Sequence, residues 1–191
     1  NIIAIEHPAN DVTTVRCHLV RGWRGHQAGQ FAFVTFDNKE GAHPFTIASA
    51  DHGDSTVSFQ IKALGDYTKR LAERLQPGQT VLVEGPYGRF DIARRDPRAR
   101  QIWIAGGIGV TPFLAWLESL QAKPEGAPMA DLHYCTRDQA KDSFVPRLES
   151  LCATLPGIRL HIHDARQGAI LKAEALGATK DAEIWFCGPS G

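Results

Sequence analysis

Residues 101–112 read QIWIAGGIGVTP. Gln101 to Ala105 is a short apolar run with Ile and Trp, the composition of a buried strand, and it runs at once into Gly106, Gly107 and Gly109. Thr111 then stands where a helix N-cap belongs and Pro112 where the first helical residue belongs. Phe113, Leu114, Trp116, Leu117 and Leu120 follow at helical spacing. Strand, glycine turn and helix start together put free backbone N–H groups and the positive end of a helix dipole at one mouth, which suits a phosphate. Glycines there let a pyrophosphate approach the backbone without a Cβ in the way. A tight turn that binds nothing uses the same residues, so the neighbouring stretches have to decide.

Downstream, strands alternate with helices: strand 101–105, helix 112–121, strand 131–135, helix 143–153, strand 158–163, helix 169–175 and strand 183–187. This alternation over short loops predicts a parallel sheet with helices on both faces and a ligand at the carboxyl ends of the strands. Three stretches fall at those ends: the 106–112 turn, Thr136-Arg137-Asp138 and Cys187-Gly188-Pro189. Arg137 follows the second strand, where dinucleotide folds read the adenosine ribose. An arginine there accommodates a 2′-phosphate and an acidic residue prefers a free 2′-OH, so Arg137 favours NADPH while Asp138 beside it keeps NADH open. His133, His161 and His163 fall on predicted strands, and His161 and His163 share a face. A metal centre would need a further ligand at a defined position, and none is expected. Cys187 has no base beside it in sequence to make it a nucleophile and reads as a small buried hydrophobe.

Upstream, the residues before 91 read as short strands broken by turns, at 2–6, 12–19, 30–36, 45–50, 56–62 and 80–84. Val57, Phe59 and Ile61 alternate with Ser58, Gln60 and Lys62, the period of a half-buried strand. Six such strands predict a small antiparallel barrel or sandwich. One helix interrupts them at 68–75, with Leu71, Ala72 and Leu75 on one face and Asp66 or Thr68 as its cap. Within HPFTIAS, residues 43–49, Phe45 and Ile47 share one strand face, and an aromatic ring beside the Thr46 hydroxyl could serve a flat heteroaromatic ligand. LGDYTKRL, residues 64–71, repeats the logic of a glycine turn running into a helix start. Residues 91–100, DIARRDPRAR, read as a solvated basic linker, which divides the chain into domains at 1–97 and 98–191.

Lys plus Arg and Asp plus Glu number 21 each, so no global charge argues for nucleic acid or an anionic membrane. No apolar run approaches the roughly 18 residues that span a bilayer. Four cysteines without CxxC spacing give no zinc, iron–sulfur or disulfide framework. With no initiator Met and no signal pattern, Asn1 reads as the start of an excised or processed piece.

HPFTIAS, LGDYTKRL, GPYGRF, GGIGVTP and IWFCGPSG, in this order, resemble the ferredoxin–NADP reductase superfamily, most of all its ferric reductase and NADPH oxidase branch. The resemblance implies an N-terminal Greek-key β-barrel that binds FAD and a C-terminal α/β domain that binds NAD(P)H, with hydride passing from nicotinamide to flavin. By position it sets His43, Pro44, Phe45, Thr46 and Ile47 on the flavin-binding strand, with Phe45 beside the isoalloxazine ring and Thr46 near its N5. His43 in place of the usual arginine is what points to the oxidase branch. Gly65, Asp66, Tyr67 and Thr68 match the motif that holds the FAD pyrophosphate, and Gly106, Gly107, Gly109 and Thr111 match the nicotinamide dinucleotide's pyrophosphate loop. Cys187 and Gly188 match the pair near the reactive carbon of the nicotinamide. Family members continue past CGP, so the resemblance implies a chain cut short at Gly191.

The activity so implied is transfer of a hydride from NAD(P)H to FAD and of single electrons onward, with Thr46 and Cys187 nearest the chemistry. In the resembled branch the acceptor is haem in a transmembrane domain of the same chain, which sets this part on the cytoplasmic side of a membrane. Two alternatives stay open: a soluble reductase of an oxygenase or ferredoxin-type chain, and a non-catalytic module that senses flavin or dinucleotide.

Overall fold

In the first half of the chain, alternation of apolar and polar residues sets strands edge to edge. A computed structural model describes residues 1–9, 11–20, 22–63, 65–177 and 180–189, leaving aside the side chains of Asp66 and Ala72. It divides into two compact units, Asn1–Ile92 and Ala93–Gly191. In the first, β1 (Ile2–Ala9), β2 (Val12–His18) and β5 (Thr56–Lys62) form one antiparallel sheet in the order β1-β2-β5. A second antiparallel sheet has β4 (His43–Thr46), β3 (Phe31–Thr35) and β6 (Leu82–Tyr87) in the order β4-β3-β6. The bridge Ile47↔Phe59 ties the two together. Their shared core is Ile2, Val15, Ala32, Val34, Phe36, Ile47, Val57, Phe59 and Ile61. The helix α1 (Asp66–Arg74) closes it with Leu71 and Leu75, both buried.

In the second unit β7 (Arg100–Gly106), β8 (Ala130–Thr136), β9 (Ile158–Asp164) and β10 (Ala182–Cys187) form a parallel sheet in the order β10-β7-β8-β9. The helices α2 (Thr111–Ala122) and α3 (Phe144–Ala153) are the crossovers β7→β8 and β8→β9. Trp116 of α2 meets Trp103 at 5.2 Å and Trp185 at 5.1 Å between ring centroids, so α2 covers the sheet face that carries those two rings. The opposite face carries Ile102, Asp131, His133, His161 and His163.

Four expectations are corrected. The helix predicted at 169–175 is absent: the crossover β9→β10 has only 3₁₀ turns at Ala165–Gln167 and Ala173–Leu176, so the described helices longer than one turn do not flank both faces. Gly168 is left-handed at φ 77° and Ile170 is 67% exposed, so nothing buries the apolar stripe a helix would need there. Thr111 is the first helical residue rather than the N-cap, which is Val110, because the Thr111 hydroxyl is buried and donates to the Ile108 carbonyl. α1 begins at Asp66, ahead of Thr68, and Gly65 is its N-cap. Residues 91–100 are mostly exposed, as expected, but from Ala93 on they belong to the second unit rather than to a free linker, since Arg95 bonds to the Gly126 carbonyl, the Asp96 N–H to Glu183 and Arg100 to Asp131.

Candidate functional site

The two flavin motifs of the first unit lie side by side. β4 is an edge strand, with β3 on one side only, and Pro44, which has no N–H to give a ladder, is tolerated on such an edge. His43 and Phe45 leave one face of β4, where Phe45 meets Phe36 at 5.6 Å and Phe59 at 6.4 Å. Pro44 and Thr46 leave the other, opposite Phe33 and Phe31 in register. Phe31, Phe33 and Tyr87 make ring contacts with one another at 5.7–5.9 Å on that face. A flat ligand that touches both Phe45 and Thr46 therefore has to lie against the free edge of β4, since successive side chains diverge. Ile47 is fully buried and belongs to the core, so it can offer a ligand only its backbone.

α1 starts beside that edge. The His43 and Tyr67 rings stack at 4.2 Å, which joins the β4 motif to the 65–68 motif. Thr68, one turn in, accepts from the Gly65 N–H and donates to the Gly65 carbonyl, both at 3.2 Å, and so squares off the helix start. Gly65 itself is extended, and a Cβ built on it meets nothing within 4 Å. Neither conformation nor packing calls for glycine there, which fits close approach of a ligand. The Tyr67 hydroxyl oxygen is buried yet has no hydrogen-bond partner among the described residues. Burial first, then Glu40 and Asp37, push its pKa up and keep it a phenol. A cleft of about 660 Å³ opens along α1 beyond Tyr67, between Arg70, Arg74 and residues 37–40. An open glycine, an orphaned phenol and a free strand edge fit an FAD. The expected roles of Asp66, as cap and as flavin ligand, rest on a side chain outside the described residues.

In the second unit the glycine turn meets the end of β10. A Cβ on Gly109 would lie 2.3 Å from the Cys187 carbonyl oxygen and 2.8 Å from the Gly188 Cα. One on Gly106 would reach Pro189 at 3.0 Å, and one on Gly188 the Gly106 nitrogen at 3.2 Å. Gly107 holds a positive φ of 52°. The turn's glycines thus have reasons inside the chain: the body that comes close at 106 and 109 is strand β10, which is a correction to reading their bareness as room for a pyrophosphate. The same contact brings 106–109 and 187–189 together at the carboxyl ends of β7 and β10. Burial pushes the Cys187 thiol up, so it stands there as a neutral thiol.

At the end of β8, Arg137 is exposed and its guanidinium has no partner among the described residues. Asp138 beside it is taken by Arg166, whose hydrogen bond holds the carboxyl below its ordinary range.

Residues 2–91 match the family model of an FAD-binding domain. The whole chain superposes on flavohemoglobin from Malassezia yamatoensis, a structure with bound FAD and heme, with TM-score 0.81 at 18% identity, over 98% of this chain and 52% of that one. That family model covers just under half of the chain, and the likeness to flavohemoglobin is one of fold. A ferredoxin NADP+ reductase from Neisseria gonorrhoeae, with bound FAD and NADP, has the same fold at TM-score 0.70 and 19% identity, over 96% of this chain and 70% of that one. Among relatives, the vanillate O-demethylase oxidoreductase of Pseudomonas putida is 28% identical over 147 residues, 74% of this chain and 44% of that protein. Dual oxidase 2 of Rattus norvegicus is 36% identical over 96 residues, 42% of this chain and 6% of that protein. The chain spans less than half the length of either relative. No helix among the described residues is long and apolar enough to cross a membrane.

In the second unit one constellation escaped the sequence. Asp131, buried in β8, accepts from Arg100 of β7 at 2.9 Å and from Arg159 and His161 of β9 at 2.9–3.0 Å. Burial works to raise its carboxyl, but these hydrogen bonds outweigh that and bring it to about 2. His133 stacks on His161 at 4.6 Å between ring centroids, and its Nδ1 lies 3.0 Å from His163 Nε2. No group of three His, Cys, Asp or Glu among the described residues is placed to hold a metal ion. The signal was the alternation of polar residues at 131, 133, 159, 161 and 163 with apolar Leu132, Leu160 and Ile162.

Proposed function

We propose that this chain is the flavin and dinucleotide part of an NAD(P)H-dependent oxidoreductase whose electrons pass one at a time to a haem-bearing domain. The observation that carries the flavin reading is the His43–Tyr67 stack, which joins two motifs that are far apart in sequence. When bound, FAD supplies the hydride acceptor and the one-electron donor, chemistry no side chain provides. The chain's own work is to bind and orient. The β4 edge offers backbone groups and the Thr46 hydroxyl along one side of the ring, and Phe45 bounds it. The start of α1, with the N–H groups beyond Gly65, holds the pyrophosphate, and Tyr67 gives its unpaired hydroxyl to the ligand. The cleft along α1 takes the adenosine half. In the second unit the N–H groups at the start of α2 meet the dinucleotide phosphates. Arg137, uncompensated at the end of β8, reads a 2′-phosphate, so NADPH is preferred over NADH. Cys187 and Gly188 border the nicotinamide.

His43 in the arginine position and the stretch shared with Dual oxidase 2 support a haem acceptor on a membrane-embedded parent, with this part on its cytoplasmic face. The longer match to vanillate O-demethylase oxidoreductase supports the second reading, a reductase component that serves an oxygenase. Anaerobic mixing of the FAD-loaded chain with NADPH and with NADH tests the common core. Rapid bleaching of the flavin, faster with NADPH, is the expected outcome; binding without bleaching makes it a sensor. Offering the reduced chain a haem protein and an iron–sulfur ferredoxin separates the two acceptors. Arg137→Glu should cost NADPH about 1.5–3 kcal/mol of binding, the worth of a hydrogen bond to a charged group, and spare NADH.

A further inference from the structure

The carboxylate of Asp138 sits one residue from Arg137, where it would repel the phosphate that Arg137 is proposed to read. The structure answers that repulsion from another strand. Arg166, in the 3₁₀ turn after β9, donates Nη1 to Asp138 Oδ2 at 2.5 Å. The Asp138 side chain is only 19% exposed and the Arg166 side chain 67%, so the guanidinium covers the carboxylate from the solvent side.

The pair is built in rather than an accident of two long side chains. The Arg166 N–H donates to the Arg137 carbonyl at 3.1 Å and to Asp164 Oδ1 at 2.9 Å. Asp164 is buried, and its other oxygen accepts the Gln139 N–H at 3.1 Å. The backbone of Arg166 is therefore fixed by the residues on both sides of Asp138. The three side chains together carry a net charge of +1, against zero if Arg166 were absent.

We propose that Arg166 is a specificity-determining residue for the dinucleotide: by occupying Asp138 it removes the acidic residue that favours a free 2′-OH and leaves Arg137 free for a 2′-phosphate. Arg166 acts through Asp138 and is a positioning residue, not a phosphate ligand. The inference rests on the reading of Arg137 given above.

The test measures binding of 2′,5′-ADP and 5′-AMP, which differ only in the 2′-phosphate, to the full chain and to R166A, R166K, D138N and R166A/D138N. Arg166→Ala should weaken 2′,5′-ADP about tenfold, the scale of an uncovered like charge beside a ligand, and change 5′-AMP less than about twofold. Lysine should keep most of the preference, and adding Asp138→Asn to R166A should restore it. A double variant no better than R166A overturns the proposal, because Arg166 would then touch the phosphate itself. Equal losses for both ligands also overturn it, since a purely structural role does that. If the unaltered chain binds the two ligands alike, the Arg137 reading falls, and this one with it; failure of the rescue alone removes only this one.

Discussion

Acid should loosen the second unit through the histidines of β8 and β9, whose burial holds His133 and, in the same direction, His163 below the ordinary imidazole range. His133 is 5% exposed on β8, and burial first, then His161 and His163, push its pKa down to about 4. Asp131 pulls it up and Arg100 pushes it further down. In the unfolded chain the same imidazole titrates near 6.5. Between these values the unfolded state holds a proton that the folded state refuses. The contribution is therefore complete above pH 6.5 and is lost as pH falls through 6.5 towards 4. At about 1.36 kcal/mol per unit, moving from pH 7 to pH 5 removes ~2 kcal/mol, and the full span ~3.4 kcal/mol. Asp131, at about 2, adds nothing in that window. Urea unfolding followed by tryptophan emission reads chiefly this unit, because Trp103, Trp116 and Trp185 lie in it and Trp23 alone lies in the first; Trp23→Phe removes that background. His133→Phe keeps a flat ring in the stack without a titrating group. Its stability should change less between pH 7 and pH 5 than that of the unaltered chain, by ~2 kcal/mol. Parallel pH profiles for the two proteins would refute the argument, as would a gain in stability on acidification.

Three further outcomes follow from contacts. Gly109→Ala puts a methyl 2.3 Å from the Cys187 carbonyl oxygen, so β10 must retreat; a loss of about 1–3 kcal/mol in urea unfolding is expected, and an unchanged midpoint means the turn and strand end are not in contact. Thr68→Ala removes the bond that squares off α1 and should cost about 1 kcal/mol of first-unit stability. It should also weaken uptake of FAD more than of FMN, and equal weakening would dissociate Thr68 from the pyrophosphate. Asp142 Oδ2 accepts both the Tyr134 and Thr136 hydroxyls and its Oδ1 the Phe144 N–H, so Asp142→Ala should cost about 1–3 kcal/mol as those donors lose their acceptor; a neutral result would mean water replaces it.

Strands and helix starts were legible where a local period or a turn residue sets them. Val57, Phe59 and Ile61 declared the inner face of β5, and Gly65 the start of α1 within a residue or two. Residues 169–175 misled because their composition permits a helix, while burial, which the local sequence does not state, decides whether one forms. Thr111 misled because its hydroxyl has a better acceptor behind it than the helix N–H groups ahead. The Asp131 cluster was out of reach for a different reason. Arg100, Asp131 and Arg159 meet only when three strands take one register, and register is a property of pairing that no window of the sequence contains. The same holds for Arg166, which reaches Asp138 from the turn that follows the neighbouring strand β9.

The sheet order sets when β7 gains its second neighbour as the chain is made. β10 is the last strand among the described residues and pairs with β7, the first of its unit, from Ala182↔Arg100 to Cys187↔Ala105. As the polypeptide leaves the ribosome, β7, β8 and β9 are complete while one edge of β7 still lacks its neighbour. Until Trp185 emerges, Trp116 also lacks one of its ring contacts. An open parallel edge beside uncovered aromatic rings invites pairing with another chain. Slow synthesis through residues 165–181 would prolong that exposure, and a chaperone that binds extended apolar segments would find its substrate there.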